Sequence, residues 1–244
     1  MKKIIVIFFL IAAVNLSGVT LKEAIKYYKQ NEYNKAKEAF LEIIKNDSKN
    51  FTAFYYLGIV SKILGDTDNA VLALKRAIEL QPNNINIYVE LADVYLTGGM
   101  YKLSIKLCIY ALQYESDNPR LFSILGQGYY NMKDYEKAEK AMKKAIELNF
   151  ENAYNYNMLG LIYLKTKKYN KANTAFLTAI ALDSNVFFFY YNLGLSYEKL
   201  GEYEKAKKSY ERCLKLNKDF DSAKKQLKKV KRILRKKKRI KRKK

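Results

Sequence analysis

The chain has 244 residues, with 46 Lys or Arg against 24 Asp or Glu, 22 Tyr, no His and no Trp. The missing histidine removes the usual nucleophile–base triads, histidine metal ligands and the commonest general base. The net charge of +22 points instead to an acidic surface or partner.

In chain order, residues 1–18 come first: Lys2 and Lys3, an apolar run over residues 4–14, then Asn15, Leu16, Ser17 and Gly18. Charge, apolar stretch and small polar residues in that sequence have the layout of a secretory signal peptide. The run is shorter than the roughly 18 residues of a membrane span. An uncleaved anchor that includes Leu16 is the alternative. No cysteine lies nearby, which argues against acylation as a bacterial lipoprotein, and cleavage after Ser17 or Gly18 leaves the following pattern intact.

From there to about residue 220 the chain repeats at an interval of 34. Ala36, Ala70, Ser104, Ala138, Ala172 and Ala206 form one column of small residues, and Ala24, Gly58, Ala92, Gly126, Gly160 and Gly194 form another. Tyr27, Ser61, Tyr95, Tyr129, Tyr163 and Tyr197 keep the same phase. Within a cycle, Tyr156, Leu159, Gly160 and Tyr163 are spaced as one stripe of an α-helix, and Ala172, Phe176 and Ala179 as a second. Breaks at Asn31, Gly65, Gly98–Gly99, Lys133–Asp134, Lys167–Lys168 and Gly201 separate the stripes, so each cycle predicts helix, turn, helix. The small residues let the backbones approach, and Phe40, Leu74, Cys108, Met142, Phe176 and Tyr210 fill the space opposite. One such hairpin cannot bury both apolar faces, whereas a stack can, which predicts an all-α solenoid.

At these residues the chain resembles the tetratricopeptide repeat family, whose pattern is aromatic-x2-Leu-Gly-x2-Tyr, then Ala-x3-Phe, then Pro. The cleanest match runs from Phe54, Leu57 and Gly58 through Ala70, Leu74, Ala77 and Pro82. Phe54, Tyr88, Phe122, Tyr156 and Tyr190 stand where the family has tryptophan. The resemblance implies a right-handed superhelix of six repeats over residues 17–50, 51–84, 85–118, 119–152, 153–186 and 187–220. The first is atypical, with Thr20 and Glu23 where large apolar residues are usual.

The carboxyl end departs from this pattern. Residues 221–244 hold fifteen Lys or Arg against one Asp, which is +14 of the total charge. Ala223, Leu227, Val230 and Leu234 keep helical spacing, so residues 221–235 are expected to cap the last repeat. Residues 236–244 are expected to be a frayed basic tail in which Lys236, Lys237, Lys238, Arg239, Lys241, Arg242, Lys243 and Lys244 contact an anionic surface. No aromatic residue follows Phe220, so the tail offers nucleic-acid bases no stacking platform.

No catalytic, metal or cofactor residues are identified. Cys108 and Cys213 fall in packing columns three repeats apart and are expected as buried free thiols. Function then falls to a surface, and the resemblance implies that the first helices of the repeats line a concave groove for a peptide or protein partner. Carried over by position, the groove residues are Tyr55, Tyr56, Glu90, Asp93, Gln127, Tyr130, Asn131, Tyr154, Asn157, Met158, Phe188, Tyr191 and Asn192. The terminal-carboxylate clamp of the family's chaperone-binding members is not present. Phe188 and Tyr191, in the aromatic run 187–191, stand out as an exposed pair, with self-association as the competing use.

The leading expectation is a non-catalytic scaffold exported across a bacterial inner membrane, in the periplasm or at the membrane. The abundance of Lys, Asn, Ile and Tyr fits an AT-rich bacterial genome. In that compartment nucleic acid is not the expected partner. The alternative is a membrane-anchored cytoplasmic protein whose basic tail binds nucleic acid without sequence preference.

Overall fold

The structure is a computed structural model that describes residues 18–241; the signal-peptide expectation for residues 1–17 and the tail residues Arg242, Lys243 and Lys244 lie outside the described residues. Among the described residues there are thirteen helices and no strands, an all-α helical-repeat solenoid that divides after Gln81 into two compact units.

The first unit holds α1 (Leu21–Lys29), α2 (Tyr33–Asn46), α3 (Phe51–Ile63) and α4 (Thr67–Leu80). Its core gathers Ala24, Ala36, Phe40, Ile43, Ala53, Leu57 and Val60. Thr20 and Glu23, which the sequence presents as a weakness in the first repeat, have a different role. Thr20 is the N-cap of α1, its side chain accepting from the Glu23 N–H while the Glu23 carboxylate accepts from the Thr20 N–H at 2.8 Å. This reciprocal arrangement satisfies two amides that the helix itself cannot. α1 therefore begins later than a full first helix would, and Glu23 and Lys26 leave its outward side polar.

The second unit holds α5 (Ile85–Thr97), α6 (Tyr101–Ala111), α7 (Pro119–Asn131), α8 (Tyr135–Leu148), α9 (Ala153–Lys165), α10 (Tyr169–Leu182), α11 (Phe187–Lys199), α12 (Tyr203–Leu216) and α13 (Asp221–Lys241). Each odd-numbered helix up to α11 packs on the even-numbered helix that follows it and on the one before it in the unit, and α5, α7, α9 and α11 also touch in succession. The second helices pack chiefly on first helices. Within this unit the first helices thus form the closer-set layer.

One residue per cycle turns the chain between its two helices. Asn31, Gly65, Gly99, Lys133, Lys167 and Gly201, spaced 34 apart, all have φ between 60° and 77°. Two residues before each of them a helix gives way, and the amide of the following residue closes back onto the tyrosine column: Glu32 N–H to the Tyr27 carbonyl at 2.9 Å, Asp134 to Tyr129 at 2.9 Å, Lys168 to Tyr163 at 2.8 Å. This is the left-handed helix terminus in which an otherwise orphaned carbonyl is satisfied. Asp66 and Asp134 then cap the next helix by accepting from the Asn69 and Lys137 amides.

α13 starts one period after α11 and is the first helix of a seventh cycle. Ala223, Leu227 and Val230 take the positions of Phe189, Leu193 and Ser196, which face the preceding repeat, and Ala223 and Val230 are fully buried. Tyr190, Gly194 and Tyr197, which in the sixth cycle face their own second helix, are replaced by Lys224, Lys228 and Lys231. No second helix follows among the described residues. The helix also continues through Lys241, six residues past its expected end at Arg235. Lys and Arg are good helix formers, cations near a helix C-terminus interact favourably with its dipole, and the Lys237 ammonium lies 4.5 Å from the centre of the Tyr203 ring.

Candidate partner-binding face

Residues carried over to the groove fall into two sets once their contacts are known. One set joins helices to each other. In the first unit Tyr56 stacks on Phe40, with ring centres 5.6 Å apart and planes within 8°, and meets Tyr28 edge-on. Tyr55 stands edge-on to Tyr56.

In the second unit three polar links run along the first-helix layer. Arg120 Nη2 donates to buried Glu90 Oε1 at 2.7 Å, tying α7 to α5. Ser123 Oγ donates to Asn155 Oδ1 at 2.8 Å, tying α7 to α9. Asn192 Nδ2 donates to Asn157 Oδ1 at 2.8 Å, tying α11 to α9, and both amides are buried. Glu90, Asn157 and Asn192 are thus committed to neighbouring helices, because a buried polar group needs a partner and the adjacent first helix supplies it. Asn155 was not a sequence candidate. Its signal is a polar residue in the column Ala53, Ile87, Leu121, Phe189, Ala223, which is otherwise apolar.

The remaining candidates keep more of their surface. Asp93, Gln127 and Met158 are half-buried, and Asn131 is exposed, its Nδ2 donating to the Gln127 carbonyl at 3.0 Å. Tyr130 packs against Tyr135 at 5.8 Å, and its phenol is pushed above the ordinary value chiefly by burial. Tyr191 is half-buried because it lies 5.0 Å from Phe220 and 5.9 Å from Tyr210, so it helps to fasten the segment leading into α13. Tyr190, which stands where the family has tryptophan, is half-buried. Its hydroxyl donates to the Ser184 carbonyl at 3.2 Å and the Arg212 guanidinium covers its ring.

What is left forms an aromatic ridge at the starts of α9 and α11. Tyr154, 57% exposed, lies 6.1 Å from Phe188 and 5.5 Å from Phe189; Phe187 bridges from Phe188 to Phe220 at 5.6 and 5.0 Å. Phe189 is fully buried against Ala153 and Ala179 and forms the footing of the ridge. Its aromatic neighbours thereby hold large apolar area at the surface in few rotamers, which suits an anchor for a polypeptide side chain.

The basic candidates occupy α13. Lys236, Lys237, Lys238 and Arg239 are exposed, and Lys241 is the last residue of the helix. The helix is fastened by Lys229, which pairs with Glu198, while the same carboxylate accepts from the Tyr210 hydroxyl at 2.9 Å. Burial and that carboxylate push the Tyr210 phenol far above its ordinary value. Among the described residues no helix is long and apolar enough to cross a membrane, and no group of three or more His, Cys, Asp or Glu could hold a metal ion.

Family models described as tetratricopeptide repeat match residues 119–152 and 188–220, and one described as TPR repeat matches residues 60–99 and 160–201. Among curated proteins the chain is similar to human Superkiller complex protein 3, at 29% identity over 75 residues that cover 31% of this chain and 5% of that protein. It is also similar to the BBSome complex member bbs-4 of Caenorhabditis elegans, at 28% identity over 103 residues that cover 42% and 22% respectively. The chain therefore spans a small part of either relative. Of solved structures, the APC/C hetero-tetramer Cut9–Hcn1 superposes with a TM-score of 0.77 at 21% identity, over 85% of this chain and 41% of that one. YrrB, described as a TPR protein with an unusual peptide-binding site, superposes with a TM-score of 0.59 at 21% identity, over 79% of this chain and all of its own. At these identities the likeness is one of fold.

Proposed function

The chain belongs to the tetratricopeptide repeat family, whose fold is that of a protein–protein interaction scaffold, and from that premise we propose that its second unit holds a partner polypeptide along α7, α9 and α11. The observation that carries this reading is the aromatic ridge, in which Tyr154 is exposed and Phe187 and Phe188 are half-buried, next to polar side chains that are engaged between helices. Phe188, expected from the sequence to be exposed, rests on Phe189. Gln127 and Asn131 lie farther along the same layer and can donate to and accept from a peptide backbone. The scaffold is non-catalytic: neither the residue types nor the family offers a reaction.

Two further elements belong to this proposal. Residues 1–18 direct export across a bacterial inner membrane, by a cleaved signal or an uncleaved anchor. The basic residues of 236–244 touch an anionic surface on the far side, so that the scaffold presents its partner there.

The test is a Tyr154→Ala/Phe188→Ala double variant. Its helical content should stay near wild type and its melting fall only modestly, since Tyr154 is exposed and Phe188 half-buried, while association with the partner recovered by the wild-type protein falls at least tenfold, about the loss of one hot-spot residue. Undiminished association by the variant would refute the ridge as the contact.

A further inference from the structure

A cleft of about 730 Å³ lies between α12 and α13, lined by Glu204, Lys207, Lys231, Leu234, Arg235, Lys237 and Lys238. Five of these seven residues are cations. The reason is visible in the repeat itself. Lys207 stands five periods after Lys37 and two after Glu139. Lys37 is answered by Asp66 at 2.8 Å, and Glu139 by Lys168 at 2.9 Å, each from the turn that follows the next first helix. After α13's first turns no such turn comes. The helix runs straight on, and across the cleft Lys207 meets Lys231, Arg235 and Lys238 instead of an opposite charge.

Little within the chain neutralises this set. Lys231 pairs with Glu211 at 3.2 Å and Lys237 lies over Tyr203, but Lys207, Arg235 and Lys238 have no carboxylate within ion-pairing distance among the described residues. Glu204 is the single acid on the rim. Several cations around one concavity raise each other's energy and are relieved by an anion seated between them.

We infer that this cleft seats the phosphate of an anionic phospholipid headgroup. Lys207, Lys231 and Arg235 contact the phosphate, and Leu234 meets the glycerol backbone behind it. A guanidinium gives two parallel donors to phosphate oxygens and a lysine a point charge, the combination found here. Ile240, 61% exposed between Arg239 and Lys241 at the projecting end of α13, supplies an apolar residue to dip among the acyl chains. The absence of any aromatic residue after Phe220 denies nucleic-acid bases a stacking surface on this helix. The inference rests on the proposed anionic-surface reading of residues 236–244 for its ligand, while its phosphate contacts, Lys207, Lys231 and Arg235, lie outside that segment.

The test uses full-length protein and mixed phosphatidylglycerol–phosphatidylcholine vesicles at about 0.1 M salt, where charges are screened beyond about 10 Å. Co-sedimentation compares wild type with three variants whose helicity is checked by circular dichroism. They are Lys207→Glu/Arg235→Glu, a charge-matched control Lys75→Glu/Lys102→Glu, and a tail variant Lys236→Gln/Arg239→Gln that spares the cleft. The cleft variant should bind at least about tenfold more weakly, and the control within about twofold of wild type. Equal losses in cleft variant and control would overturn the seat. A loss confined to the tail variant would overturn the seat and leave the tail reading standing; no loss in any variant would remove both. Displacement of vesicles by millimolar inorganic phosphate, or retention of duplex RNA in place of vesicles with the same dependence on Lys207 and Arg235, would overturn the headgroup as occupant.

Discussion

Gly160 stands against the face of Phe176 so closely that a β-carbon there would lie 2.5 Å from the ring's Cε1. The same approach joins Gly58 to Leu74, Gly126 to Met142 and Gly194 to Tyr210. Where the opposing residue is smaller, as Cys108 is, the column carries Ala92. From the second to the sixth cycle, size in one helix thus complements size in its partner; the first cycle sets Ala24 in the column opposite Phe40. Gly160→Ala should destabilise the second unit by about 1–3 kcal/mol through overpacking, although alanine is the better helix former. Ala92→Gly should cost about 1–2 kcal/mol, from backbone entropy and the loss of a fully buried methyl. Denaturant melts of both variants check the pair; a stabilised Gly160→Ala would mean that the helices are not in this contact.

Lys133 and Lys167 occupy the left-handed turn position that Gly65, Gly99 and Gly201 fill elsewhere. A side chain in that conformation costs roughly 1–2 kcal/mol relative to glycine. At Gly201 a β-carbon would meet nothing within 4 Å, so only the dihedral matters there. Lys167→Gly is expected to raise stability by about 1 kcal/mol and Gly201→Ala to lower it by a similar amount, read as shifts of the melting midpoint.

The buried Asn157–Asn192 link makes a different prediction. Asn157→Ala strands the Asn192 amide and should cost about 1–3 kcal/mol, whereas Asn157→Leu/Asn192→Leu should come within about 1 kcal/mol of wild type. A double-mutant cycle on the two positions measures the coupling. Partner binding by the Leu/Leu variant should persist, since these amides hold α9 and α11 together and do not face a ligand.

Burial pushes the Cys108 thiol up to about 12, helped by the charge of Asp93, and the Cys213 thiol up to about 11. Both values lie above the ordinary 9.0, so the unfolded chain releases these protons first. The stabilisation is complete below pH 9 and is lost as pH rises through the folded values, at up to about 1.4 kcal/mol per pH unit for each thiol. At pH 8 neither cysteine should react with a thiol reagent on the timescale at which the unfolded chain is fully labelled. Cys108→Ser should flatten the alkaline loss.

The period of 34, the helix pairs and the turn positions were legible because packing imposes size on fixed columns, and a column of glycine or tyrosine survives without coordinates. Thr20 and Glu23 misled because a capping box and an apolar core position occupy the same sequence phase; only the start of α1 at Leu21 separates them. The groove was legible as a set of helices but not side chain by side chain. Asn157 and Asn192 look identical in sequence to free amides, and their engagement depends on a separation across two repeats that no local pattern encodes. The extent of α13 was misjudged for a related reason: charge repulsion argues for fraying, while the Tyr203 ring beneath Lys237 comes from a different helix.

Site-specific photo-cross-linking from Phe188 reports whether the ridge touches the partner polypeptide. A photoreactive phenylalanine analogue is placed at 188 and, separately, at Leu103, which is exposed on the second-helix layer of the same unit. One polypeptide should be captured from position 188, the same adduct should be lost when Tyr154→Ala is added, and position 103 should not yield it. Capture of that polypeptide from position 103 and not from 188 would contradict the ridge as the contact.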